Sequence, residues 1–275
     1  MTPGAAPATP AAPAGPAGVT PGGGGGGGGA VFIPQHGKTT RELLFIDWDY
    51  PVYQVKKTDG AEGNDGKTVA VAVDKALPRE EALWYLSEKD QRPLLILREC
   101  EFCNGTDDAL LSTSTGNEKT FLLSKWFHCV KLPTHVLKED HPFTNLFENK
   151  KKTPHLFVCS ADGSSVIPLK GDQAQGELWS AMSDVLAKDY KKDADTSVKN
   201  LMKILAEYDH IDAMEDLYQE KIQAEIEKRG PKSSKLKKMR AKVKTYSNRR
   251  DQLKTKEAKL FELGLIPNGP KTASK

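Results

Sequence analysis

Pro93-Leu94-Leu95-Ile96-Leu97-Arg98-Glu99-Cys100-Glu101-Phe102-Cys103 joins a continuous apolar run to a Cys-x-x-Cys pair. A run of Leu and Ile without polar alternation, bounded by charged residues, predicts a strand buried on both faces and therefore a sheet covered by helices on each side. Upstream, Leu43–Trp48, Val52–Val55 and Thr68–Val73 read as strands, with a Gly/Asn/Asp loop over Thr58–Lys67. Pro78 suits the first turn of a helix over Glu80–Lys89, with Ala82, Leu83 and Leu86 on one face. Downstream, Thr106 can cap a helix from Asp107, Trp126–Leu132 reads as a strand and Pro142–Phe147 as a short helix. Next come His155–Ser160, a turn at Ala161–Ser164 and Ser165–Leu169: a β-hairpin whose Pro168 confines its second strand to a sheet edge. Glu177–Leu186 closes the unit as an amphipathic helix, and the class is α/β.

This order resembles the thioredoxin-like family. The likeness rests on Cys100-x-x-Cys103 after a buried strand, Thr153-Pro154 just before the hairpin, and the helix Glu177–Leu186; it covers about residues 68–190. The resemblance implies a thioredoxin-like mixed sheet with flanking helices and a thiol–disulfide oxidoreductase acting on a protein disulfide substrate. Cys100 would be the attacking thiolate and Cys103 the resolving one, with no cofactor. Thr153 and Pro154 would hold the substrate chain against the Cys pair, with the peptide before Pro154 cis.

Physical chemistry supports and opposes that role at once. The N–H groups at a helix start favour a thiolate. Glu99 and Glu101 would raise the thiol pKa and Arg98 would oppose them. Asn104-Gly105, a turn former, delays any helix start until after the pair. A passive disulfide, or two buried thiols, is the plain alternative. Zinc would need further ligands from Cys129 or His128 and from His135, His141 or His155. Adjacent strand residues 128 and 129 point to opposite faces, and no second Cys-x-x-Cys exists, so no metal site is predicted. Cys129 and Cys159 read as small buried hydrophobes.

From Thr196 the apolar period becomes helical. Val198, Leu201, Leu205, Tyr208 and Ile211 open a stripe that runs to Ile226 and breaks at Gly230-Pro231. Ser233 or Ser234 caps a second helix whose seam runs from Leu236 to Leu260, with Arg250 and Glu257 at polar seam positions. The pattern predicts a long antiparallel α-helical hairpin, or coiled coil, over residues 191–264. Lys228–Lys259 carries 14 basic and 2 acidic residues, which marks it for an anionic partner, and the hairpin itself is a surface for a protein partner. That yields a second functional reading: a redox-inactive scaffold whose basic hairpin binds a partner.

The net charge of +3 conceals this segregation. Residues 1–30 carry no charge and contain 11 Gly and 6 Pro, the composition of a disordered tail. Residues 31–67 read as an N-terminal β extension and 265–275 as a second disordered tail. No apolar run is long enough for a transmembrane segment. The N-terminus lacks the basic and apolar regions of a signal peptide. The expected location is therefore cytoplasmic, with the cell envelope as the alternative if a signal precedes this start.

Overall fold

The computed structural model describes residues 36–53, 75–100, 111, 116–147, 153–169 and 173–266, all within one compact unit spanning Ile33–Lys275. The N-terminal tail, the strand expected at Thr68–Val73, the helix start at Thr106 and Cys103 lie outside the described residues.

The chain begins with a one-turn helix, α1 (Lys38–Arg41), and a two-residue strand, β1 (Trp48–Asp49). There follow α2 (Arg79–Ser87), β2 (Leu94–Arg98), α3 (Glu118–Ser124), β3 (His128–Leu132), β4 (Leu156–Cys159), β5 (Ile167–Leu169) and α4 (Gln175–Asp189). Two long helices end the described chain, α5 (Ala194–Arg229) and α6 (Ser234–Phe261). The strands form one mixed sheet ordered β1-β3-β2-β4-β5. β1 and β2 are parallel to β3, and β4 is antiparallel to both β2 and β5. The chain is therefore an α/β protein. Leu43–Ile46, which reads as part of a strand, is turn and irregular chain, and pairing begins only at Trp48.

β2 sits at the sheet centre, and its side chains divide by parity. Leu94 and Ile96 enter a core with Ala82, Leu83 and Leu86 of α2; Leu95 and Leu97 enter another with Leu178, Met182 and Val185 of α4. Each such buried side chain contributes roughly 2 kcal/mol of apolar transfer. β4 divides the same way, with Leu156 and Val158 on the α4 side and Phe157 and Cys159 on the α2 side. The β4–β5 turn carries Gly163 at φ 78°, where a Cβ would collide with Leu83. β5, containing Pro168, is the sheet edge.

The inner part of α5 shares the sheet's core: Val198, Leu201 and Leu205 belong to the cluster that contains Leu95 and Leu97. Asp193 caps this helix by accepting from the Thr196 N–H at 2.7 Å, and Gly230, at φ 78°, ends it. α6 runs back along α5. Arg249 pairs with Glu207, Arg250 with Asp212 and Glu215, and the Tyr208 hydroxyl donates to Glu257 at 2.7 Å. Past the end of α6, the Lys191 and Lys192 N–H groups donate to the carbonyls of Gly264 and Leu263. The Trp126 indole donates to the Phe261 carbonyl at 2.9 Å. Among the described residues, no helix is long and apolar enough to cross a membrane.

Asp212 ties three segments together. Its carboxylate accepts from the Thr39 N–H at 2.7 Å, the Thr39 hydroxyl at 2.9 Å and the Arg250 guanidinium at 2.8 Å. Burial opposes ionisation of Asp212, but these donors outweigh it and hold its carboxyl below the usual range. One turn back on α5, Asp209 accepts from the Gly37 N–H at 2.9 Å. His36 lies between Asp209 Oδ2, 2.9 Å from Nδ1, and Glu118 Oε1, 3.0 Å from Nε2, so it bridges α5 and α3.

Arg250→Ala leaves Asp212 and Glu215 charged, buried and without their guanidinium. It should cost about 3 kcal/mol, read as a lower urea midpoint at unchanged slope. His36 supplies a pH signature. Burial lowers its pKa, but the two carboxylates more than compensate and raise it above 6.5. Its stabilisation is therefore complete below the unfolded-state value and disappears as pH rises through the elevated folded value. The stability difference between wild type and His36→Gln should shrink as pH rises from below the unfolded-state value through the elevated folded-state value; a difference independent of pH would contradict the charged bridge.

Candidate functional site

The site grows from the carboxyl end of β2. There the strand still bonds on both sides: the Arg98 N–H donates to the His155 carbonyl at 2.7 Å and the Glu99 N–H to the Leu132 carbonyl at 2.9 Å. Cys100 follows, held at the sheet centre by a strand with no apolar freedom to shift. The β2–β4 register pairs Leu97 with Leu156. Continued past the strand ends, it sets Cys100 opposite Thr153, so sheet pairing alone brings the predicted Cys and Thr-Pro segments to one end of the molecule. The Thr153–Pro154 peptide is trans, since no peptide bond among the described residues is cis. This corrects the cis expectation: trans is the lower-energy form of an X–Pro bond by about 0.5–1 kcal/mol.

Cys100 is disulfide-bonded, whereas Cys129 and Cys159 are free thiols. The two free thiols lie in opposite cores of the sheet, and burial pushes each pKa up to about 12. They are poor nucleophiles near neutral pH. Of the described cysteines, Cys100 lines an open cavity of about 530 Å³ together with Arg98, Glu99, Thr134, His135, Leu137 and Lys138.

The cavity's electrostatics differ from what the bare sequence suggests. Glu99, read as an anion opposing a thiolate, is bound to Lys131 at 3.0 Å, so its charge is largely compensated. Arg98 reaches the Glu99 carbonyl and donates to His155 Nδ1 at 3.3 Å. His155 is consequently a strand residue engaged by Arg98. His135 and Lys138 come from the turn after β3, far along the chain from Cys100. In the sequence His135 stands out only as a possible zinc ligand, and Lys138 has no signal beyond Pro133 ending a strand whose neighbour leads to the Cys pair. The His135 and His141 rings lie 5.2 Å apart, and His141 Nδ1 accepts from the Phe143 N–H at 3.2 Å.

His128 points away from the Cys129 face and contacts Asp49 Oδ2 at 3.1 Å. Among the described residues, no group of three His, Cys, Asp or Glu side chains is placed to hold a metal ion.

Alkylation distinguishes the three described cysteines. Iodoacetamide at about pH 8 should leave Cys100, Cys129 and Cys159 untouched in the native, non-reduced protein. Mild reduction should expose Cys100 first, and Cys129 and Cys159 should react only in denaturant, as read by peptide mass mapping. Rapid modification of either core thiol in the folded protein would contradict its burial. No protein-family model, curated protein or solved structure matches the chain.

Proposed function

We propose that the chain is a thioredoxin-like thiol–disulfide oxidoreductase carrying an antiparallel α-helical hairpin. The observation that carries this reading is the contrast among the described cysteines: Cys100 is oxidised and lines an open cavity at the end of the central strand, while Cys129 and Cys159 are sealed in the cores. The mixed sheet, the antiparallel β4–β5 hairpin and the terminal helix α4 support the thioredoxin-like reading. The reversed pairing of α5 with α6 supports the hairpin.

In the reducing direction, the Cys100 thiolate attacks one sulfur of a substrate disulfide. A Cys100–substrate disulfide forms and one substrate thiolate leaves. The Cys103 thiolate then attacks Cys100 Sγ, releasing the second substrate thiolate and leaving Cys100 and Cys103 joined; two electrons have passed to the substrate. A dithiol reductant restores the pair. Thr153 and Pro154 hold the substrate backbone across the site, and Arg98 and Lys138 supply positive charge beside the reacting sulfur. In a cytoplasm the pair works as a reductant, and in an oxidising envelope compartment the same exchange runs in reverse.

Cys100→Ser should abolish reduction of insulin by the protein with dithiothreitol, and Cys103→Ser should accumulate a mixed disulfide visible on a non-reducing gel. Equal activity in wild type and Cys100→Ser would remove the enzyme reading and leave the scaffold one.

A further inference from the structure

Beyond its inner part, the α5–α6 pair loses the sheet's support. From Asp216 through Asn248, Leu236 is the one fully buried side chain among the described residues. On α6 this outer part contains Lys235, Lys237, Lys238, Arg240, Lys242 and Lys244, and no acidic residue occurs between Lys228 and Arg250. None of the six makes an ion pair among the described residues; the nearby Glu225 is taken up by Arg229 and by the Ser233 hydroxyl.

The spacing is unfavourable for a helix in isolation. Lys235 with Lys238 and Lys237 with Arg240 are three apart; Lys238 with Lys242 and Arg240 with Lys244 are four apart, and such like-charge neighbours destabilise a helix. A thinly packed arm that keeps these like-charge neighbours breaks a local rule at a surface, where a polyanion would relieve it. The geometry points to the outer half of α6 as a sequence-independent binding surface for duplex DNA.

Three observations select this occupant. First, the exposed large apolar side chains of the described residues include none from α6, so the helix has nothing to insert into a bilayer. Second, single strands are held by stacking on free aromatic rings. The arm's Tyr246 is half-buried, with its ring packed against those of Tyr218 and His210. Third, the exposed side of a helix can face the wide major groove of B-form DNA, roughly 12 Å across, whereas the major groove of an RNA duplex is closed to side chains. Exposed Asp216, Glu220 and Glu227 on α5 would repel phosphates, so the duplex lies against α6.

The test is fluorescence anisotropy of the full chain with a labelled duplex of about 20 base pairs and arbitrary sequence, between about 50 and 300 mM NaCl. Wild type should bind with strong salt dependence. Lys237→Gln/Arg240→Gln/Lys244→Gln should weaken binding at least roughly tenfold at about 100 mM and reduce the log–log salt slope by about 3, because each phosphate that a side chain neutralises adds about 0.9 to that slope. A matched removal of charge, Lys188→Gln/Lys191→Gln/Lys192→Gln, should leave the slope unchanged. Thermal melting by circular dichroism confirms that both variants fold. The proposal fails if the first variant binds like wild type, if wild type does not bind at the lowest salt, or if phosphatidylserine vesicles, a single strand of the same length or duplex RNA bind as tightly. Repeating the titration with Cys100→Ser separates this surface from the redox reading, which it does not require.

Discussion

The residues Leu94–Leu97 have no polar face to turn outward. A strand of that kind is stable only where both sides of the sheet are covered, and the rest of the chain is arranged to meet that requirement. α2 covers Leu94 and Ile96, whereas α4 and the inner part of α5 cover Leu95 and Leu97. This draws the first turns of a 36-residue helix into the sheet's own core. It also fixes where Cys100 emerges, because a strand clamped on both faces and bonded to β3 and β4 cannot slide. Arg98, Glu99 and Cys100 are where the end of that clamped strand opens onto a cavity.

What could be read from the sequence follows from the strength of its periodicities. β2, α2 and the Pro168 edge strand are plain in the residues, since each has a continuous run, a one-sided apolar face or a proline that permits a single placement. The N-terminal segment is not. A four-residue helix and a two-residue strand contain too few residues to show a period, and Lys38–Arg41 is specified by carboxylates far along the chain on α5. In the site, the approach of Thr153 to Cys100 follows from strand order. The contribution of His135 and Lys138 depends on the path of a turn, on which local sequence is silent.

The polar residues of the helix pair divide into two kinds that look identical as letters. Arg250 and Glu257 interrupt an apolar seam, yet Arg250 is matched by Asp212 and Glu215 and Glu257 by the Tyr208 hydroxyl. Asp212 and Glu215, which lie off the apolar stripe in the sequence, are buried. Lys237 and Arg240 occupy the same kind of helix and make no such pairs among the described residues. Pairing across the seam, invisible in either helix alone, decides which charges hold the fold together and which are left to the surroundings.

The three-way bond at Asp212 has a mechanical meaning. It lies where α5 and α6 leave the common core, and the part of α5 beyond Glu215 projects outward as far as Arg229, about 21 Å of helix. The bonds from Thr39 and Arg250 to Asp212 therefore anchor the base of that arm to the N-terminal segment and to α6, at the point where the sheet's own packing gives out.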